Sequence, residues 1–208
     1  MEFTREQNKA LIEHFPYLQP RSLWTDEIVK DYDYGYIKGQ WDLPDGWHRL
    51  FLLYCKAIKP ILKKVDFIDK FRFSQLKEKW GAMTLYNNGY PKEAYEELSN
   101  LNSIYCRIST LICQRCGKPA DIETRGWVGF LCNACKPETF TANDYDNLEE
   151  PNFIVKLESW EPSAESNSIT TDDYNKIIRE LDCKPYYNEY IRCLNLTDSE
   201  FIEYLTNK

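Results

Sequence analysis

The chain lacks the marks of an exported protein. No apolar stretch follows Met1, because Glu2, Arg5, Glu6 and Lys9 interrupt it at once. No signal peptide is expected, and no apolar run approaches the length of a membrane-spanning helix. This argues against a membrane partner. Histidine is scarce: His14 and His48 are the only two, and neither lies beside a serine or cysteine in a nucleophile motif. The phosphate-cradling glycine loop, the H-E-x-x-H zinc motif and the H-x-E deaminase pattern are all missing. Nothing visible carries catalysis, so the chain reads as non-enzymatic. Internal repeats and low-complexity tracts are also absent.

What is present belongs to a folded protein. A hydrophobic share of 43% and an aromatic share of 15% exceed what disordered chains carry. The 208 residues suffice for one good core and a small satellite module. Eight cysteines without a secretion signal point to reduced thiols and metal rather than disulfides. The expected compartment is the cytoplasm of a bacterial or infected host cell. The net charge of −7 is uneven. Residues 1–69 carry −1, residues 70–136 carry +4 and residues 137–208 carry −10. Four thiolates around Zn²⁺ would carry about −2 net, leaving the loaded middle near +2. That is a small excess for a nucleic-acid surface, which needs a clustered basic patch.

Cys113-x2-Cys116 and Cys132-x2-Cys135 stand fifteen residues apart, the spacing of a ribbon-type structural zinc site. Gly117, just after the second cysteine, suits a sharp backbone turn beneath the metal. Thioredoxin-like redox chemistry would need one such pair after a strand in a βαβ unit, and that context is missing. Four sulfur ligands also close the coordination shell, whereas a catalytic zinc keeps a water position open. The expected cofactor is therefore a structural Zn²⁺. Cys55 and Cys106 fall on apolar helical faces as small core residues, and Cys183 and Cys193 do not read as a second ligand set. His48, at a helix start, reads as a surface or partly satisfied residue.

Along the chain, residues 4–14 predict a short helix ended by Pro16 and Pro20. Tyr32, Tyr34 and Tyr36 alternate as in an extended segment. Asp45 is a candidate N-cap for a helix carrying Trp47, Leu50, Phe51, Tyr54, Ile58, Ile61 and Leu62 at three- and four-residue steps, with Pro60 expected to bend or divide it. Strands are expected from Phe71 to Leu76 and over 82–86, joined by Lys77-Glu-Lys-Trp-Gly81 as a hairpin. A second long helix over about 92–112 is expected to lead directly into Cys113. Strands over 121–124 and 127–131 would flank Arg125-Gly126. Residues 137–168 read as an acidic linker, with a short strand over 153–157. Thr171 or Asp172 would cap a helix bearing Tyr174, Ile177, Ile178 and Leu181, and Thr197-x-x-Glu200 is a capping box.

In order, the residues Gly46-Trp47, Gln75-Leu-Lys-Glu-Lys-Trp-Gly-Ala-Met-Thr-Leu-Tyr86, Cys113–Gly117 and Gly126–Cys135 resemble a family of small uncharacterised bacterial and phage proteins with a zinc-ribbon end. The resemblance covers roughly residues 44–136 and rests on the ordered combination rather than on the cysteines alone. Met83-Thr84 stands where the family often has Leu-Arg. The resemblance implies a zinc-bearing cytoplasmic protein of phages or integrated elements and carries no activity with it.

The fold expected is α+β: two long helices with a β-hairpin, an appended four-cysteine zinc ribbon and a helical C-terminal extension. Its divisions would be a helix and hairpin domain over 1–112, the ribbon over 113–136, the linker-like segment over 137–168 and the extension over 169–208. Lys77, Lys79, Trp80, Arg125 and Trp127 are the candidate macromolecule-binding residues. The alternating charges of the hairpin segment read most simply as a solvated turn. With Arg107, Arg115 and Lys118 they would instead hold a nucleic-acid strand by phosphate contact and base stacking. The acidic balance and the wealth of Tyr and Trp favour a protein partner, since such side chains make interface anchors. A third reading is an enzyme built around Glu78 and Asp42.

Overall fold

The computed structural model describes residues 3–22, 25, 27–29, 41–148 and 171–207, with residues 41–42 and 171–181 described by their backbone only. Five helices and two three-stranded sheets are described: α1 Arg5–His14, β1 Trp41–Asp42, α2 His48–Lys64, β2 Phe73–Lys79, β3 Ala82–Asn87, α3 Tyr95–Ser109, β4 Ile122–Thr124, β5 Phe130–Leu131, β6 Tyr145–Asn147, α4 Thr171–Cys193 and α5 Asp198–Thr206. This is the α+β architecture that the periodicities predict. The alternating tyrosines at 32–36 and the strand at 153–157 lie outside the described residues.

Helix α2 is the centre of the molecule. Its first eight residues, His48 to Cys55, are all buried, so its N-terminal half is enclosed on every side rather than on one face. Phe51 packs edge-on against Phe73 of the hairpin, their ring centroids 5.1 Å apart. The Tyr105 hydroxyl from α3 donates to the Leu53 carbonyl at 3.3 Å. Pro60 neither divides nor ends α2, which continues to Lys64. Asp45 does not cap it: Asp45–Trp47 forms a 3₁₀ turn that runs straight into the helix without a side-chain cap. His48 is buried, its ring nitrogen 3.3 Å from the Leu43 carbonyl oxygen. Burial holds its pKa below the usual histidine value.

The hairpin is longer than expected. Lys77, Glu78 and Lys79 are strand residues of β2, and the turn is only Trp80-Gly81, between Lys79 and its partner Ala82. Both turn residues have positive φ, 55° and 76°, as the tight turn that matches strand twist requires. Within the charged run, Lys77 finds a cross-strand partner and Glu78 accepts from the Gly81 amide of the turn. Lys77 pairs with Thr84 in register, and its ammonium lies 5.1 Å from the Tyr86 ring centroid, a diagonal contact across the two strands. β1 adds to the other edge of β2 in parallel.

The C-terminal helices belong to the main core. Tyr190, Cys183, Cys193, Phe201 and Leu205 are buried in the same cluster as α2. The Thr197–Glu200 capping box opens α5 as its sequence predicts. A buried arginine holds this end in place. Arg49 donates to the carbonyls of Cys193 at 2.5 Å and Leu196 at 2.8 Å, pairs with Asp198 at 2.8 Å, and lies 4.8 Å from the Phe201 ring centroid. A guanidinium can be buried only when its donors are engaged in this way. Replacing Arg49 with Met orphans two carbonyls and Asp198. The expected cost is about 3 kcal/mol, read as a lower urea midpoint with earlier proteolysis within residues 183–207. An unchanged midpoint would deny Arg49 this role.

Candidate metal centre and the tryptophan seam

The two cysteine pairs meet where two tight backbone turns face each other. In the first, Cys113 N–H donates to the Lys118 carbonyl at 2.7 Å, and Gly117 N–H donates back to the Cys113 carbonyl at 2.9 Å. Gly117 has φ 78°, a conformation that favours glycine. In the second, the amides of Cys135 and Lys136 both donate to the Cys132 carbonyl, at 2.9 and 3.1 Å. Asp121 accepts from the Asn133 amide at 2.7 Å. The four sulfurs lie within 4.8 Å of one another, and those of Cys116 and Cys132 are 3.5 Å apart. A tetrahedron with sulfur bonds of ~2.3 Å has edges of about 3.8 Å, so the set can hold a metal ion.

The electrostatics suit a cation. Burial alone would raise the Cys113 thiol, but the amides of Cys132, Cys116 and Arg115 point at its sulfur and bring its pKa below the ordinary value. Cys135 goes the other way, pushed up to about 12 by desolvation and by hydrogen bonding with the thiols of Cys116, Cys132 and Cys113. Four thiols this close cannot all ionise unless a cation compensates them. The remaining cysteines are different. Burial raises the pKa of Cys55 and brings Cys106 to about 12, which makes both inert core thiols. Among the described residues, Cys113, Cys116, Cys132 and Cys135 are the one group of metal-ligand type.

The ribbon differs from its predicted form in three ways, the first being that the strand expected over 127–131 is only Phe130–Leu131. Helix α3 ends at Ser109 and does not reach Cys113; Ile112 instead bridges to Pro119. Residues 145–147, expected within the linker, form β6, which pairs antiparallel with β4 on the edge opposite β5. A three-residue strand with one apolar side chain leaves no period to read. Even with β6 the ribbon core is small: Cys113, Ile122, Leu131 and Cys132, with Cys135 and Tyr145 beside them. Metal ligation by the four cysteines would supply what burial cannot.

The first turn rests on the main core with no side chain between. Gly46 N–H donates to the Gln114 carbonyl at 2.8 Å. A Cβ on Gly46 would lie 2.1 Å from the Cys113 carbonyl oxygen and 2.6 Å from the Gly117 nitrogen. From the other side, the Tyr190 hydroxyl of α4 donates to the Gly117 carbonyl at 2.6 Å.

The hairpin turn makes a second joint. A Cβ on Gly81 would lie 2.8 Å from both Phe130 Cε2 and Val128 Cγ1 of the ribbon. This docking brings Trp80 beside Trp127. Together with Glu78, Lys79, Gly126 and Val128 they line a cleft of about 240 Å³. Both indoles face solvent, 79% and 84% exposed. Three of the five candidate binding residues, Lys79, Trp80 and Trp127, thus share one site. Lys77 lies outside its lining, against Tyr86. Arg125 is also outside, with Nε 2.9 Å from Asp146 Oδ2 and a second bond from Nη2 to Oδ1. That pairing holds the Asp146 carboxyl below its usual range. Glu78 accepts from the Gly81 amide at 2.6 Å and so braces the turn. Asp42 pairs through its backbone with Lys77.

No family model, curated protein or solved structure matches this chain. No helix among the described residues is long and apolar enough to cross a membrane.

Two outcomes are expected. Elemental analysis should find one metal per chain, removable by chelator with loss of ribbon signals in near-UV circular dichroism. Cys113→Ser and Cys132→Ser should each lower that content, and retention of a full equivalent would reject the ligand set. Gly46→Ala should cost about 3 kcal/mol by overpacking against main-chain atoms, measured as a fall in Tm.

Proposed function

We propose that this chain is a non-enzymatic zinc protein that binds another protein through the tryptophan seam. The observation that carries this reading is the placement of Trp80 and Trp127. They are far apart in sequence, share one cleft, and are both mostly exposed. Large apolar side chains exposed together commonly mark interaction sites, and tryptophan is enriched among the residues that dominate binding energy. The charge around the cleft is balanced rather than basic. Glu78 sits beside Lys79, and the nearby Arg125 is occupied by Asp146.

Zinc fits the metal role because four thiolates in a tetrahedral set suit it, and a closed shell leaves no position for substrate. Its task would be to hold the ribbon on which Trp127 is mounted. The cytoplasmic setting and an origin in a phage or mobile element, with a host regulatory or defence component as target, come from the family resemblance. A nucleic-acid strand is the second reading, favoured by Lys79 beside two indoles that could stack bases.

The test is capture from nuclease-treated lysate by three forms of the zinc-loaded chain. These are the native protein, Trp80→Ala/Trp127→Ala, and Lys77→Glu/Lys79→Glu/Arg125→Glu. A stoichiometric protein should bind the native and charge-reversed forms and be lost with the tryptophans. Loss of about 2 kcal/mol per anchor corresponds to roughly thirtyfold in affinity for each. Binding that vanishes on nuclease treatment, falls steeply with salt and fails after charge reversal would replace this reading with the nucleic-acid one.

A further inference from the structure

Helices α2, α3 and α4 enclose another cleft, of about 460 Å³ among the described residues. Its size falls within the range of roughly 300–1,000 Å³ typical of small-molecule sites. Leu53 and Ile61 of α2 and Leu101 of α3 form an apolar wall.

The polar groups of this cleft are mostly acceptors. Lys56, the one cation of the lining, is already committed. Its ammonium lies 3.1 Å from Glu189 Oε1 and 3.2 Å from the Tyr204 hydroxyl, and 4.2 Å from the Tyr204 ring centroid. The Tyr204 hydroxyl donates to the same Glu189 Oε1. Glu189 Oε2 then accepts no hydrogen bond among the described residues. Glu97 faces the cleft from α3, is exposed, and makes no hydrogen bond or ion pair among the described residues. Pro60 lines the cleft too. It has no N–H to give the Lys56 carbonyl four residues earlier, so that carbonyl lacks its helical donor. Two carboxylates face one engaged ammonium, so the lining carries net negative charge over an apolar floor. The Tyr186 hydroxyl adds a neutral polar group at the edge.

We infer that this cleft binds a small amphipathic cation, an amine or guanidine carried on a short aliphatic body. The charged head would sit between Glu97 and Glu189 and donate to their free oxygens, while the aliphatic part would cover Leu53, Ile61 and Leu101. An anion of the same length would meet two carboxylates and no free donor of like strength. A neutral alcohol would keep only the apolar contact. This site is independent of the tryptophan seam.

The test uses the full, metal-loaded chain and three probes of one length: n-hexylammonium, hexanoate and n-hexanol. Binding is followed by chemical-shift changes at the Leu53, Ile61 and Leu101 methyls and by calorimetry. Hexylammonium should bind at least about tenfold more tightly than hexanoate and shift those methyls. Glu97→Gln, a change at an exposed position, should weaken it roughly threefold. Ala57→Phe, which fills the cleft, should abolish it with zinc content retained. Equal binding of the three probes, absence of shifts at the named methyls, or full binding by both variants would each overturn the inference.

Discussion

The contact between Gly46 and the first cysteine turn is the constraint on which the rest depends. It is backbone against backbone, so no side chain can adjust to relieve it. The amide of Gly46 donates to Gln114, and the Tyr190 hydroxyl closes the joint from α4. One residue on, Trp47 is fully buried at the start of α2. Helix α2, the first cysteine pair and α4 thus converge within a few residues. A ribbon on a flexible tether would be free to turn; here its first ligand is set against the core.

That fixed position gives the ribbon a mechanical use. Its own apolar cluster is too small to define a shape, a deficit that sulfur ligation of a metal would make up. The ribbon receives the hairpin turn at Gly81, where any larger residue would strike Phe130 and Val128. The positive φ of Trp80 follows from the two-residue turn. The same turn carries its indole outward beside that of Trp127. The four-cysteine turns, the glycine contact and the hairpin turn together present an exposed pair of tryptophans.

Parts of this were legible from local pattern. The cysteine spacing, the helical period of α2 and the Thr197–Glu200 capping box depend on residues close in sequence, and the structure shows each. Other parts were not. Asp45 looks like a cap, but a 3₁₀ turn leads into the helix and leaves no capping geometry. The Lys77–Lys79 run looks like a loop because its charges are solvated in isolation; in the hairpin, Lys77 lies over Tyr86. Arg49 is one arginine among many until the carbonyls of Cys193 and Leu196 are brought to it. Strand β6 was invisible because its order comes from the neighbouring β4 rather than from its own apolar content.

The sequence by itself determined the long helices, the four-cysteine set and the mixed α+β class, because spacing, periodicity and capping act over a few residues. It could nominate Lys77, Lys79, Trp80, Arg125 and Trp127 as a group but could not divide them. Only the tertiary structure decided that Trp80 and Trp127 share a cleft, that Arg125 is paired with Asp146, and that the C-terminal helices complete the main core. Those outcomes depend on close approach between distant segments. Close approach is set by packing volume and by which buried donors find acceptors, and neither quantity is written in any local stretch of the chain.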